Sequence, residues 1–171
     1  MQKQKHIIIS ALGSDRPGIV SELSKIITDS NANISESRMI KLGGDFTMMI
    51  LASAEENNIS SLIQDLNRIS ELTIEPHETN LGDGKVEREE ANIVLSGTDN
   101  GGLVYSLTEK LAEHNINIIE MNTGVVNAPM SGATLFLLNA LVSYDKNQLK
   151  NLKKELIQLS DELDIDIVVE D

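Results

Sequence analysis

The sequence predicts an α+β protein in which one βαββαβ unit occurs twice. Asp15 and Asn31 recur as Asp99 and Asn115 at one constant spacing, and many residues between them keep the same register. Apolar residues follow strand or helix periodicity in the same order in each half. The length of 171 residues and the apolar content of 40% are sufficient for two small cores. We therefore expect two copies of one domain.

The first strand and helix follow from the residue pattern. Residues 7–12 form a nearly continuous run rich in β-branched side chains, which indicates a strand buried on both faces or nearly so. Pro17 presets φ for a first helical turn. Apolar residues then recur at helical spacing as far as a helix end near Asn31. A strand is thus predicted to turn directly into a helix.

A hairpin, a second helix and a final strand complete the first unit. Residues 34–42 alternate as a half-exposed strand does, and the glycine pair at 43–44 makes a turn before the returning strand at 46–52. Apolar spacing over 59–69 predicts an amphipathic helix, and 72–75 predicts a last short strand. The element order is βαββαβ.

The second unit repeats this order, with elements expected at 91–97, 103–111, 117–126, 133–142, 149–159 and 165–169. Extra residues around 127–130 lengthen its hairpin loop, which we expect to project further. The stretch 79–90 is rich in glycine and charge and has few core residues, so we place a linker there. The predicted organisation is a first domain at 1–80, a linker at 81–90 and a second domain at 91–171.

This element order predicts the ferredoxin-like arrangement, a four-stranded antiparallel sheet with two helices on one face. The other face and the edge strands need cover, which the two copies can give each other by pairing edges or packing helices. A further copy of the chain can add to this, so we also consider a homo-oligomer.

Composition excludes several classes of function. Aromatic residues make up 2% of the chain, which leaves no platform for stacking bases. The formal net charge of −13 repels phosphate backbones, so direct nucleic-acid binding is not expected. The absence of cysteine fits a reducing compartment, and the polar N-terminus and the lack of a long apolar run indicate neither a secretory signal nor a membrane span. We expect a cytoplasmic protein.

The strongest candidate binding site is the turn between the first strand and helix, which contains Gly13, Asp15, Arg16, Pro17 and Gly18. A helix N-terminus presents unpaired N–H groups, and glycine lets a carboxylate approach the backbone closely. Two structural alternatives remain open. In the first alternative, Asp15 only caps the helix, and Pro17 and Gly18 only shape the turn. In the second, Arg16 forms a solvated ion pair with Asp15 instead of clamping a ligand. Gly18→Val is expected to obstruct the turn and leave the fold largely intact.

The second copy has a matching turn formed by Asp99, Asn100, Gly101 and Gly102. It keeps the acid and the second glycine but lacks the proline and the arginine, so the two turns need not be equally competent. Asparagines close each first helix and open the next strand, at positions Asn31, Asn33, Asn115 and Asn117. They are either helix C-caps in left-handed geometry or amides that bind polar groups of a ligand.

Other polar residues indicate no catalytic site. His6, His77 and His114 are far apart in sequence, so we expect no metal site, no catalytic residues and no cofactor. The acidic residues that follow 160 lack the glycine and spacing of a calcium loop and are expected to form a solvated surface. Met39, Met48 and Met49 are expected in the core, with an adaptable contact surface as the alternative.

The stretch Ile9-Ser10-Ala11-Leu12-Gly13-Ser14-Asp15-Arg16-Pro17-Gly18-Ile19-Val20, followed by Asn33-Ile34-Ser35-Glu36-Ser37-Arg38, resembles the first ACT domain of the glycine cleavage system transcriptional repressor family. Residues 42–49 are similar as well. The Asp-Arg-Pro-Gly stretch alone also resembles ACT domains attached to formyltetrahydrofolate deformylases and uridylyltransferases, which carry a catalytic domain for which this chain has no room.

The resemblance implies tandem ACT domains that sense a small amino acid, with glycine as the expectation. It also implies repression through a transcription activator protein, without direct contact to DNA. ACT-domain ligands lie where two domains meet, against the turn and the start of the helix, which adds Ile19 and Leu103 to the candidate residues. The alternative is a constitutive interaction module or a regulatory subunit of a metabolic enzyme.

Overall fold

A computed structural model of the protein describes residues 4–81, 88–127 and 134–170. The chain divides into two compact units, Met1–Gly84 and Lys85–Asp171. Each unit contains one four-stranded antiparallel sheet and two helices in the order βαββαβ. The predicted α+β class with two ferredoxin-like units is therefore confirmed.

The elements of the first unit are β1 (Gln4–Ser14), α1 (Ile19–Asp29), β2 (Asn33–Leu42), β3 (Asp45–Glu55), α2 (Glu56–Leu66) and β4 (Leu72–Thr79). Those of the second unit are β5 (Glu89–Thr98), α3 (Leu103–Glu113), β6 (Asn117–Asn127), β7 (Thr134–Tyr144), α4 (Leu149–Leu163) and β8 (Ile165–Glu170). The strand orders are β2-β3-β1-β4 and β6-β7-β5-β8. The first and last strands of each unit are therefore neighbours, and β2, β4, β6 and β8 are edge strands.

Each core lies between one face of a sheet and the two helices of the same unit. In the first unit, Ile7, Ile9 and Ile50 of the central strands pack with Leu23 of α1 and Leu62 of α2, all of them buried. The equivalent buried positions of the second unit include Ile93, Leu95, Leu107, Leu152 and Leu156. Burial of these aliphatic side chains is the main favourable contribution to the stability of each unit.

The central strands are longer than the apolar pattern predicts. β1 extends beyond 7–12 at both ends because β3 pairs with it along its whole length, from Gln4 opposite Glu55 to Ser14 opposite Asp45. Likewise β5 begins at Glu89, which pairs with Tyr144, so the end of the expected linker is in a strand. Backbone pairing therefore continues past the residues that contribute to the core.

The prediction that residues 34–42 form a half-exposed strand is wrong in its burial. Within β2 only Ile34 is partly buried, because this edge strand pairs with β3 alone and carries a β-bulge after Ile34. Met39 and Met49 are 58% and 52% exposed, so of the methionines expected in the core only Met48 is there. The sequence pattern shows alternation but does not reveal which strand lies at an edge.

Both predicted hairpins connect the expected strands. In the first, Gly43 has φ +61° between the paired residues Leu42 and Asp45, which explains why glycine is needed there. In the second, Asn127 pairs with Thr134. The longer loop expected around 127–130 falls outside the described residues apart from Asn127.

Candidate functional site

The turn between β1 and α1 leaves the first amides of the helix uncapped. Gly18 is the N-cap residue of α1 with φ +93°, and no side chain caps the helix. The first intrahelical hydrogen bond runs from Glu22 N to Gly18 O at 2.9 Å. The N–H groups of Ile19, Val20 and Ser21 precede that bond and point out of the helix end, where they are available to an anion.

A cavity of about 480 Å³ opens beside these amides. Its wall is formed by the turn, the first residues of α1 and two residues of the neighbouring strands. The lining residues are Asp15, Arg16, Gly18, Ile19, Val20, Ser21, Met39 and Phe46. Ile19 and Phe46 are buried beneath it, whereas Met39 of β2 is exposed at its rim. The cavity thus combines an apolar wall with a few polar groups, the usual make-up of a small-molecule site.

One ion pair and one backbone hydrogen bond hold Asp15 in the turn. Lys41 of β2 donates to the carboxylate of Asp15 over 2.5 Å, and the amide of Asp15 donates to Gly44 O over 3.0 Å. Asp15 therefore does not cap the helix, because its carboxylate is directed to the neighbouring strand. The alternative in which Asp15 is a helix cap is wrong, and this carboxylate lies at the cavity.

Arg16 is held by acidic partners other than the expected one. Its guanidinium donates to Glu22 over 2.6 Å and to Glu71 over 2.7 Å, and does not pair with Asp15 as expected. The hydrogen bonds to Glu22 and then to Glu71 raise the pKa of Arg16 above its ordinary value, so this group is always charged. Engagement of Arg16 by two carboxylates favours the ion-pair interpretation over a ligand clamp.

The fold itself explains why proline is found at position 17 and glycine at position 13. Pro17 lies in the turn before Gly18, so it precedes the helix instead of opening its first turn. A Cβ at Gly13 would lie 2.7 Å from the carbonyl oxygen of Glu71 and 2.6 Å from a methyl of Leu72. Gly13 is therefore required for the close approach of β4 to β1, and its space is filled by the protein itself.

Gly18, in contrast, faces open space, since a Cβ there meets nothing within 4 Å. Its φ of +93° nevertheless penalises every L side chain, and a β-branched residue most of all. Gly18→Val is therefore expected to strain this turn as well as to obstruct it, and whether the fold stays largely intact remains a prediction.

The turn of the second unit has the same backbone and different side chains. Gly102 is the N-cap of α3 with φ +98°, again without a side-chain cap, and its neighbours Asp99, Asn100 and Gly101 are exposed. Leu103 is buried at the start of α3, as Ile19 is at the start of α1. The predicted residues of this turn are therefore gathered at one helix end.

In the second unit, Asn100 replaces Arg16, Tyr105 replaces Ser21, Thr123 replaces Met39, and Val125 replaces Lys41, the lysine that pairs with Asp15 beside the cavity. Tyr105 is 65% exposed, and its hydroxyl donates to Glu109, which raises the pKa of the phenol. Two cationic side chains are lost and a large aromatic one is gained. Ser106 also replaces Glu22, the partner of Arg16, so the clearest electrostatic difference is that Asp99 lacks the lysine that pairs with Asp15.

The asparagines close the helices at the opposite end from the cavity. Asn31 has φ +53°, its amide donates to Thr28 O over 3.0 Å, and the amide of Ala32 donates to Ile27 O over 3.0 Å. This is the Schellman arrangement, which Asn115 repeats at the end of α3 with φ +55°.

With 11 residues, α1 is about 16 Å long. Asn31 and Asn33 are therefore separated from the cavity by the whole helix, and Asn115 and Asn117 likewise lie at the far end of α3. Within its own unit, none of these four residues is close to the turn, and the C-cap interpretation accounts for Asn31 and Asn115.

Other charged residues form pairs at the surface. His114 Nε2 lies 3.0 Å from Glu155 between α3 and α4, and a larger hollow of about 620 Å³ at the start of α4 is lined mainly by charged side chains such as Glu89, Lys146 and Lys150. Within the part of the chain that the structure describes, no three His, Cys, Asp or Glu residues are grouped so as to hold a metal ion. None of the helices described there has the length and apolar character needed to span a bilayer.

The sequence interpretation missed four residues of the cavity: Val20, Ser21, Met39 and Phe46. Val20 and Ser21 directly follow the predicted turn, so helix geometry alone could have added their amides. Met39 and Phe46 belong to the hairpin. Their proximity depends on β2 and β3 passing beside the helix end, which local sequence does not indicate.

Comparison with known proteins agrees with this architecture. A family model described as the ACT domain matches residues 5–75 and again 92–170. The glycine cleavage system transcriptional repressor of Escherichia coli K12 is 38% identical over 60 residues, which are 35% of this chain and 32% of the repressor. The match therefore spans about a third of the length of this curated relative. A UPF0237 protein of Methanococcus maripaludis is 35% identical over 63 residues, 37% of this chain and 68% of that protein.

Solved structures match over nearly the full length. A protein of unknown function from Galdieria sulphuraria superposes with a TM-score of 0.84 at 28% identity, over 98% of both chains. A crystal structure provisionally assigned as a glycine cleavage system transcriptional repressor superposes with a TM-score of 0.68 at 23% identity, over 98% of this chain and 96% of that one. The second likeness bears on the fold alone.

Proposed function

The chain belongs to the ACT domain family, and from this premise we propose that it is a non-enzymatic regulatory protein that senses a small amino acid. The ligand binds in the cavity at the start of α1. The single observation that carries the proposal is the combination, in one cavity, of the uncapped amides of 19–21 with the carboxylate of Asp15.

An amino acid is complementary to these groups. Its carboxylate accepts hydrogen bonds from the amides of Ile19, Val20 and Ser21, which also carry the positive end of the helix dipole. Its ammonium group is directed to Asp15, and its side chain lies against Val20 and Met39. Gly18 contributes by the absence of a side chain, since the space beside it is open.

We assign the first turn as the main site. The second turn, with Asp99, Asn100, Gly101, Gly102 and Leu103, presents the same backbone, but it lacks a counterpart of Lys41, the cation that pairs with the acid of the first turn. An anionic ligand group is therefore less favoured there. Tyr105 also occupies the position of Ser21.

In this proposal, the protein regulates its target by direct contact with another protein. A ligand changes a binding surface only through its different affinity for two states of the protein. The net charge of −13 disfavours direct binding to nucleic acid, so a transcriptional role would act through an activator protein, as the similarity to the glycine cleavage repressor suggests. Glycine is the first ligand to test, and a cytoplasmic location belongs to the same proposal.

The proposal is tested by calorimetry and thermal shift with each standard amino acid at concentrations up to the millimolar range. We expect at least one small amino acid, with glycine as the first candidate, to bind and raise the melting temperature, because a ligand that binds only the native state stabilises it. If no amino acid has any effect, the sensor proposal fails. Recovery of a metabolic enzyme with the native protein would then favour a constitutive regulatory subunit.

Paired variants locate the site. Met39→Glu places a negative charge at the rim of the cavity and is expected to weaken binding of the ligand carboxylate at least tenfold, about 1.4 kcal/mol. Thr123→Glu introduces the same charge at the equivalent exposed position of β6 and is the matched control, with no change expected. Equal effects of the two variants would contradict the assignment to the first turn.

A further inference from the structure

Methionine supplies all the sulfur of this chain, which has six methionines and no cysteine. The structure describes four of the six, and their exposures differ widely: Met39 is 58% exposed, Met49 52%, Met121 37% and Met48 4%. Oxidation converts the apolar thioether of methionine into a polar sulfoxide, and reductases reverse the reaction. The thioethers are therefore the oxidisable sulfur atoms of the chain, and an oxidant in solution reaches some of them far more easily than others.

Met39 is the exposed methionine that lies at the candidate binding site. It is directly opposite Met48 in the ladder between β2 and β3, so the two side chains share the face of the sheet that the helices cover. Met48 is buried in the core, whereas Met39 belongs to the edge strand and lines the cavity at the start of α1. An oxidant can thus reach a sulfur atom at the cavity without entering the core.

Met49 has a similar exposure but lies on the opposite face of the sheet. It follows Met48 in β3, and successive side chains of a strand point to opposite faces. Its cross-strand neighbour is Arg38, and it does not line the cavity. The chain therefore contains its own control, an exposed thioether on a neighbouring strand that is not part of the candidate site.

The second unit has no thioether at the equivalent positions. The strand registers place Thr123 at the position of Met39 and Asn139 at the position of Met49. Neither side chain is oxidised under conditions that convert methionine to its sulfoxide. An oxidant therefore distinguishes the first turn from the second, in addition to the difference in charge and size between them.

We propose that Met39 is a site of reversible oxidation and that its sulfoxide competes with the ligand for the cavity, an inference that rests on the proposed function. The co-reactant is hydrogen peroxide. The sulfur attacks one peroxide oxygen, an S–O bond forms as the O–O bond breaks, and the proton of the transferred oxygen leaves with the departing hydroxide as water. The sulfur loses two electrons, and the peroxide gains them.

The new oxygen changes what the rim of the cavity can bind. A thioether sulfur is only a weak acceptor, whereas the sulfoxide oxygen is polar and accepts hydrogen bonds. The donors that lack an intrahelical acceptor at this cavity are the amides of Ile19, Val20 and Ser21. The oxidised side chain, which is unbranched and flexible, therefore competes with the ligand carboxylate for these amides and removes an apolar contact.

Peptide mass spectrometry of the full chain during treatment with hydrogen peroxide tests the assignment of the site. We expect Met39 and Met49 to gain oxygen at similar rates, roughly tenfold faster than Met48, because exposure governs access of the oxidant. A saturating amino acid should slow oxidation of Met39 and leave that of Met49 unchanged, since the ligand covers only Met39.

Calorimetry before and after peroxide treatment tests the effect on binding. Oxidation of the wild-type chain is expected to raise the dissociation constant of the amino acid roughly tenfold, and the two methionine sulfoxide reductases, one for each epimer, should restore it. Met39→Leu should show the same affinity in treated and untreated samples, whatever its own starting value. Met49→Leu is the matched control and should keep the full response to peroxide.

Three results would overturn the proposal. The first is oxidation of Met48 as fast as that of Met39. The second is unchanged affinity in a chain whose Met39 is fully oxidised, and the third is loss of the peroxide response in Met49→Leu instead of Met39→Leu. If the untreated chain binds no amino acid, the proposed function fails and the effect on affinity fails with it. That outcome is distinct from the other three because it is observed before any oxidation.

Discussion

The two turns that precede α1 and α3 have nearly the same backbone and different surroundings. Gly18 and Gly102 have φ of +93° and +98°, and Asn31 and Asn115, which close the helices, have φ of +53° and +55°. The same β-bulge follows the second residue of β2 and of β6. Features shared by both units are thus requirements of the fold, so a glycine at a helix start is not by itself evidence of a ligand.

The side chains around the turns carry the functional information. Lys41 pairs with Asp15 in the first unit, whereas Val125 stands at that position in the second and leaves Asp99 without the equivalent lysine. A duplicated domain therefore separates structural residues, which both copies need, from residues that only one copy has, and under the proposed function the latter are the candidates for ligand binding.

The largest loss of stability is expected when the glycines of β1 and β5, Gly13 and Gly97, are replaced. Gly13→Ala brings a Cβ to 2.7 Å from Glu71 O, and Gly97→Ala brings one to 2.4 Å from a methyl of Ile165. We expect each change to lower the free energy of unfolding of its own unit by about 1–3 kcal/mol, the usual effect of overpacking. Urea titration measures this.

Both tyrosines of the chain, Tyr105 and Tyr144, lie in the second unit, so tyrosine fluorescence reports that unit while far-ultraviolet circular dichroism reports both. Gly97→Ala should shift the tyrosine transition. Gly44→Ala and Gly101→Ala, where a Cβ meets nothing within 4 Å, are the controls and should be nearly neutral. Destabilisation by the controls equal to that of the strand variants would contradict the packing explanation.

A smaller effect is expected from exchanging the residue that distinguishes the two cavities. Ser21→Tyr introduces into the first unit the side chain that Tyr105 provides in the second. We expect it to fill the cavity and to weaken amino-acid binding at least tenfold in calorimetry, about 1.4 kcal/mol. Tyr105→Ser, the reciprocal change, should leave that affinity unchanged, and a loss of affinity from Tyr105→Ser would place the ligand in the second unit.

The smallest effect concerns the N-cap glycines. Gly18→Ala and Gly102→Ala meet no neighbouring atom, so their cost is the left-handed backbone alone, about 1 kcal/mol each. Thermal unfolding should show equal losses of stability in the two variants, whereas only Gly18→Ala should alter the response to the ligand. Gly18→Asn, which tolerates positive φ better, should cost less. Unequal losses of stability in Gly18→Ala and Gly102→Ala would show that the backbones of the two turns also differ.

The fold could be predicted because periodicity and repetition reinforce each other. Apolar spacing located all twelve elements, and the glycine pair at 43–44 placed the first hairpin. Burial could not be predicted at the edges, since alternation in residues 34–42 has the same form in a central strand and in β2. Met39 was therefore expected in the core and lies instead at the rim of the cavity.

The candidate site could be predicted only where its residues are adjacent in sequence. The turn from Asp15 to Gly18 was found from sequence because its chemistry is contiguous. The partners of Asp15 and Arg16, namely Lys41, Glu22 and Glu71, depend on the sheet register and on the course of α1. Sequence spacing gives no information about such contacts, which explains why the wrong ion pair was expected for Arg16.

In each unit the first strand pairs with the last strand, which brings the two ends of the unit close together. His6 lies opposite Thr79, and Asn92 lies opposite Glu170, so each unit starts and finishes at one end of its sheet. A segment whose two ends are neighbours can be joined to itself by a short loop and reopened elsewhere. Circularly permuted forms of either unit, opened at the hairpin between its second and third strands, should therefore retain the native sheet.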